Sequence, residues 1–297
     1  MLKYMAIGDA YGAAYEFVDA SYAGLIPGFS LYPNDLKYRT HPLVGHSPHF
    51  FNPAGSYTDD TQRSISVARV LEVTDTPTTL DFADSLIREY ISDRARSGYA
   101  KGFKGVLDKS RSGQALINAL IPTSSRNGAA MSSGIIGIMA KNVEMALRNS
   151  RTNAELTHNS PNGILSAQIV AISALYLRDN DNIAGLAGEL KAILDYNAPQ
   201  SIPTKPTDLD GMQTVHNVIG LLLHGSRKLS DLLKSCIALG GDTDTCAAIT
   251  MCLASANLAL WEDDLPLNLF NDLEKDNAYG REAVQKLYIP KWLSDTV

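Results

Sequence analysis

Apolar residues recur at helical spacing along most of this 297-residue chain. Beyond the first sixty residues, periodic segments run over roughly 60–74, 79–92, 111–120, 131–148, 160–179, 183–195, 208–224, 229–239, 244–261 and 278–287, with capping or breaking residues between most of them. No run alternates with a period of two for long enough to predict a sheet. The expectation is an all-α chain, with residues 1–297 forming one compact multi-helix domain. Pro199, Pro203 and Pro206 read as a rigid connection inside it, because both flanks carry the same helical texture.

The first stretch, Leu2 to Phe17, also reads as a helix. Ala6, Ala10, Ala13 and Ala14 fall at helical spacing, and Gly8 and Gly12, four apart, suit close approach to another helix. Two acids, Asp9 and Glu16, interrupt its apolar run. Residues 19–56 lose the period: five prolines, four glycines and His41, His46 and His49 predict a long irregular segment. Loops of that length in a compact chain are usually functional or mobile. The three histidines have no metal-ligand spacing and read as loop histidines.

Two polar clusters stand at predicted helix starts. Tyr57-Thr58-Asp59-Asp60-Thr61-Gln62 opens one helix, and Gly240-Gly241-Asp242-Thr243-Asp244-Thr245 opens the apolar segment Cys246 to Trp261. Asp and Thr are ordinary N-cap residues, so each cluster alone reads as a cap. A cap, however, needs one side chain. Stacked carboxylates at both starts repel one another unless a cation compensates them, and carboxylate and hydroxyl oxygens are the hard ligands of Mg²⁺ or Mn²⁺. Two such clusters favour a metal site over two caps.

Composition narrows the classes. A net charge of −6 with no Lys/Arg run argues against a dedicated nucleic-acid or membrane-surface binder. With 45% hydrophobic and 20% charged residues the chain is that of an ordinary globular protein. Cys236, Cys246 and Cys252 lie in apolar helical surroundings and read as buried thiols of a reducing compartment. The absence of a leader pattern, and apolar segments shorter than a membrane span, point to a cytoplasmic protein. Two further polar stretches enter apolar helices. Pro122 to Gly134 is rich in glycine and hydroxyls and could present backbone N–H groups to a phosphate, and Thr157-His158-Asn159-Ser160-Pro161 sets a histidine at another helix start.

Gly8-Asp9-Ala10-Tyr11-Gly12 with Glu16, Tyr57 to Thr61, Asn127-Gly128-Ala129-Ala130-Met131, Thr157-His158 and Gly240 to Thr245 resemble, in this order, the motifs of the ADP-ribosylglycohydrolase family. The resemblance implies an all-α bundle with a binuclear Mg²⁺ or Mn²⁺ cleft that removes ADP-ribose from a modified acceptor. On this resemblance Thr58, Asp59 and Asp60 match the first ligand cluster, and Asp242, Asp244 and Thr245 match the second. Glu16 takes the family's acidic position near the metals and the scissile bond. Ser124, Ser125, Asn127, Gly128 and Met131 match a loop holding the ADP-ribose phosphates and ribose, and His158 matches a ligand-contacting histidine. Tyr99 and Gly102, within Ser97 to Phe103, match a further substrate loop.

Cleavage of a ribosyl bond passes through an oxocarbenium-like state and needs an oriented sugar and an activated water. Glu16, with Asp59 and Asp60, is the expected catalytic set. ADP-ribosyl-arginine on protein is the acceptor expected first; serine, a nucleic-acid end and small molecules such as O-acetyl-ADP-ribose present the same half to a pocket. Ser132, Ser133 and Gly134 replace the Arg and Pro that many members carry after the Met, which bears on the acceptor and on the phosphate contacts. The same acids would also serve a two-metal phosphohydrolase of an ADP-ribose-like nucleotide, and the pocket a non-catalytic ADP-ribose-binding module.

Overall fold

A computed structural model describes residues 1–19, 25–26, 29–42, 52–94 and 96–294. The predicted loop histidines His46 and His49 lie outside the described residues, as do Gly24, Pro27, Gly28, Gly45 and Pro48. The described part is all-α. Its helices are α1 Leu2–Gly12, α2 Asp59–Val73, α3 Thr79–Ser92, α4 Lys101–Leu107, α5 Gly113–Ala119, α6 Ala130–Met139, α7 Val143–Glu155, α8 Pro161–Asp179, α9 Leu186–Leu194, α10 Gly211–His224, α11 Leu229–Leu239, α12 Thr243–Ala254, α13 Leu267–Asp272, α14 Ala278–Gln285 and α15 Lys291–Ser294. Extended backbone contributes only isolated bridges among the described residues. No helix there is long and apolar enough to cross a membrane.

The helix starts follow local chemistry. Thr58, Thr78, Ser112, Asn142, Ser160, Asp210, Asp242 and Asn277 each cap a helix with a side-chain oxygen. At Thr78 the capping box is complete, with Asp81 reaching back to the cap.

Capping also corrects the expected single helix over 131–148. Ala140 turns extended and Asn142 starts a new helix, its Oδ1 accepting from the Met145 N–H at 2.9 Å. The predicted 244–261 helix stops at Ala254, and Asn257 caps a separate 3₁₀ turn at Leu258–Leu260. Near the N-terminus the α-helix ends at Gly12, a 3₁₀ turn covers Ala13–Tyr15, and Glu16 is already extended. Helices α4, α13 and α15 form where the pattern predicted none.

The core centres on α12, whose twelve residues are all buried. α1 lies so close to it that a Cβ at Gly8 would sit 2.4 Å from the Ala247 carbonyl oxygen, and one at Gly12 would sit 2.6 Å from the Asp244 Cα. The small residues of α1 thus bring the backbone carrying Asp9 and leading to Glu16 onto the start of α12. α6, buried over all ten residues, packs between α2 and α8. A satellite cluster of Leu86, Ile87, Tyr90, Tyr99, Leu107 and Leu116 joins α3, α4 and α5 to one side. Each fully buried aliphatic side chain contributes about 1.5–3 kcal/mol.

Candidate metal and ligand site

The first acidic cluster is held from α1. The fully buried Asp9 carboxylate accepts from the Thr58 N–H at 3.0 and 3.1 Å, from the Thr61 N–H at 3.0 Å and from the Thr61 hydroxyl at 2.5 Å. It therefore acts as a second cap on α2 from another helix and fixes the turn bearing Thr58, Asp59 and Asp60. The sequence pattern alone assigns Asp9 no role. The available signal was an acid inside an apolar, small-residue helix.

The second cluster is built by Gly240 and Gly241, at φ 73° and 76°, a region that only glycine enters freely. A Cβ on Gly241 would lie 2.0 Å from the Thr207 carbonyl oxygen. That close approach lets the Thr207 N–H donate to the Gly240 carbonyl (3.0 Å) and the Asp242 N–H donate to the Thr207 carbonyl (2.9 Å). Asp242 then caps α12. The N–H of Phe17 donates to the Gly241 carbonyl at 2.7 Å, which ties the chain beside Glu16 to the same turn.

The clusters meet. Glu16, Asp242 and Asp244, all buried, offer carboxylate oxygens within 4.8 Å of one another. Thr58 and Thr245 both direct hydroxyls to Asp60 Oδ2 at 3.4 Å, so Asp60 links the two helix starts. Asp59 is half-buried beside it, its N–H donating to the Ser97 carbonyl. Asn127 Nδ2 donates to Asp242 Oδ2 at 2.7 Å and to the Thr214 hydroxyl at 3.2 Å, so its amide orients an acid of the cluster.

This cluster is electrostatically unfinished. Burial, then the neighbouring carboxylates Asp244, Asp9, Asp59 and Asp242, hold the Asp60 carboxyl well above the usual range. Burial and Asp244 do the same to Asp242, against the Asn127 and Thr245 hydrogen bonds. Among the described residues no Lys or Arg pairs with Asp60 or Asp242, and Asp60 Oδ1 is sealed from solvent with no hydrogen-bond partner. All the donors are carboxylate or hydroxyl oxygens, the set that suits a hard divalent cation. The residues present fit such ions.

Beside the acids lies a differently charged wall. The loop before α6 is pinned on both sides, by the Asn159 N–H on the Pro122 carbonyl (2.7 Å), the Gly211 N–H on the Ser125 carbonyl (3.0 Å) and the Asn127 N–H on the Leu209 carbonyl (2.9 Å). Ser124 spends its hydroxyl on the Arg126 N–H at 3.1 Å, while Ser125 is exposed. Buried His158 abuts Gly128, where a Cβ would lie 2.8 Å from its Cε1. Burial, with Arg63 and Arg126 nearby, lowers its pKa to about 3, so the ring is neutral at physiological pH.

Three expected ligand residues stand differently. The Met131 side chain is buried in the main core. Tyr99 belongs to the satellite core and donates its hydroxyl to Gln62 Oε1 at 2.9 Å. Gly102 is exposed on α4 and lines, with Lys101, Gly105 and Lys109, a concavity whose lining contains none of the acids.

The match to the ADP-ribosylglycohydrolase family model runs over residues 5–289 and takes in both helix starts, the pinned loop and His158. The chain belongs to the ADP-ribosylglycohydrolase family. It is a glycohydrolase by that membership, and its all-α fold is shared with solved structures. One, described as an ADP-ribosylglycohydrolase-related protein complex, superposes with a TM-score of 0.60 at 20% identity over 95% of this chain and 94% of the other. No curated protein matches the chain significantly.

Proposed function

We propose that this family member is a metal-dependent hydrolase that releases ADP-ribose from a modified acceptor by cleaving the ribosyl glycosidic bond, with ADP-ribosyl-arginine on protein as the first acceptor to test. The observation that carries the reading is the convergence of Glu16, Asp242 and Asp244 beside Asp60, whose Oδ1 is buried without a partner. Thr58, Asp59, Asp60, Asp242, Asp244 and Thr245 would hold two divalent cations, Mg²⁺ or Mn²⁺. When bound, such ions neutralise the stacked acids and polarise hydroxyl and water oxygens.

The remaining steps belong to the chain itself. Asp9 and Asn127 hold the two ligand turns in register, and Thr58 and Thr245 present neutral oxygens that limit the negative charge. Glu16, at the edge of the triad, orients the attacking water and takes its proton as the ribosyl bond breaks. Gly128 and His158 line the ADP-ribosyl half of the site. Substrate specificity beyond that half follows from the acceptor.

The test is to incubate the protein with ADP-ribosyl-arginine protein, ADP-ribosyl-serine peptide and O-acetyl-ADP-ribose, with Mg²⁺ or Mn²⁺ and with EDTA, and to identify products by mass. Metal-dependent release of intact ADP-ribose is expected from the arginine conjugate. AMP as the product would reassign the chain as a phosphohydrolase. Tight ADP-ribose binding without release from any conjugate would reduce it to a binding module.

A further inference from the structure

Arg63 sits one turn into α2 from the acidic pair, and its side chain is 4% exposed. A buried guanidinium ordinarily spends its five donors on carboxylates or carbonyls, because burying that charge unpaired is costly. Arg63 does neither. Its one hydrogen bond among the described residues runs from Nη2 to the Thr157 hydroxyl at 3.4 Å; the Phe103 ring lies 5.8 Å away, and the Asp59 and Asp60 carboxylates act on it only through space, with no ion pair to either. Nη1 faces Gly128, 3.0 Å from where a Cβ would be.

Two further groups converge there. Thr157 Oγ1 lies 2.6 Å from His158 Nδ1 and accepts from Arg63, and we assign its proton to Nδ1, which leaves Nε2 as the ring's donor towards Gly128. Nε2 lies 3.1 Å from the missing Cβ. The N–H groups of Gly128, Ala129 and Ala130 donate to no acceptor among the described residues, and α6 begins there with no side-chain cap and no acid in its first turn. An uncapped helix start of this kind favours an anion. Exposed Arg126 adds a second positive charge near His158.

We infer that Arg63 is a specificity-determining residue of this site, whose unpaired guanidinium, together with His158 Nε2–H and the free N–H groups opening α6, takes a phosphate group of the ligand. The inference rests on the function proposed above, since it assigns the residue that selects the diphosphate end of an ADP-ribosyl group. It also explains why a charge is buried where a methionine of similar length would pack at no electrostatic cost.

The test is calorimetric titration of ADP-ribose and of inorganic pyrophosphate into the full chain and into Arg63→Met and Arg63→Lys, with thermal melts of each protein free of ligand. Charge-assisted hydrogen bonds of this kind set the scale. Arg63→Met is expected to weaken ADP-ribose at least about tenfold, to lose pyrophosphate binding, and to melt at the wild-type temperature or higher. Arg63→Lys should fall between.

An Arg63→Met protein that binds ADP-ribose as tightly as wild type overturns the assignment and leaves the glycohydrolase reading standing. One that melts lower without ligand makes Arg63 a structural cation and overturns it too. Arg63-dependent pyrophosphate binding without ADP-ribose binding supports the anion site and overturns the glycohydrolase reading. Wild-type protein that binds neither probe overturns both.

Discussion

Two buried groups of acids flank α2, and they are finished in opposite ways. Asp93 and Glu274, with side chains wholly buried, share Arg96, which contacts Asp93 at 2.7 and 2.8 Å and Glu274 at 2.8 and 2.9 Å. Tyr57 completes the group: its N–H donates to Glu274, its hydroxyl to Asp93, and its ring lies 3.9 Å from the guanidinium. One residue along the chain, Thr58 opens the other group. There Asp60 and Asp242 form no ion pair with a cation among the described residues, and Asp60 Oδ1 has no hydrogen-bond partner among them. A buried charge network closed on itself fixes architecture, whereas one left open is shaped to receive an ion.

That contrast can be broken or sharpened by substitution. Arg96→Met leaves two carboxylates buried without their cation and is expected to lower unfolding stability by about 3–5 kcal/mol, read from denaturant midpoints. Asp60→Ala and Asp244→Ala should behave in reverse. Hydrolysis is expected to fall more than about a hundredfold, the scale on which even outer partners of metal sites act, while melting in EDTA stays at the wild-type temperature or rises, because like-charge repulsion is relieved.

Adding Mg²⁺ or Mn²⁺ to wild type at about one hundred times its dissociation constant should raise stability by about 2.7 kcal/mol. The same melts with Asp244→Ala should show little of that gain; an equal gain would place the ion elsewhere. Asn127→Ala frees Asp242 from its 2.7 Å amide contact. A loss of about 10–100-fold in metal affinity, measured by titration, is expected, with the closed Arg96 group unaffected.

The last effect, absent at neutral pH, concerns the positive wall. His158 has its pKa depressed from 6.5 to about 3, chiefly by burial. The folded state binds its proton less readily than the unfolded chain. The stability that this residue contributes is therefore fully present above pH 6.5 and is lost as the pH falls from there towards 3. His158→Gln should remove that part of the acid slope in stability measured against pH.

Much of the acidic site was legible because each half is local. Stacked acids at a helix start conflict with simple capping, and the conflict shows within six residues at Thr58–Asp60 and again at Asp242–Thr245. The join between the halves was not legible, since Asp60 and Thr245 are 185 residues apart. Arg96 and Glu274, 178 apart, left no pattern at all. Arg63 belongs to no motif of the sequence. Only the arrival of Phe103, Thr157, His158 and Gly128 around it turns that position inward. The helix break at Ala140 to Asn142 was missed because its apolar period continues across it, while the Asn142 cap competes successfully with one more helical turn.

By itself the sequence determined most of the helices, the two acidic helix starts, the glycine pair that builds one of them and the family pattern, because these rest on interactions within a few residues. The tertiary structure alone decided which acids would be neutralised by a protein cation and which left open. It also set Asp9 on α2, turned Asn127 towards Asp242, and buried Arg63 without a carboxylate. The reason is physical: the energy of a charge depends on what surrounds it after burial, and here those surroundings come from segments far apart in the chain.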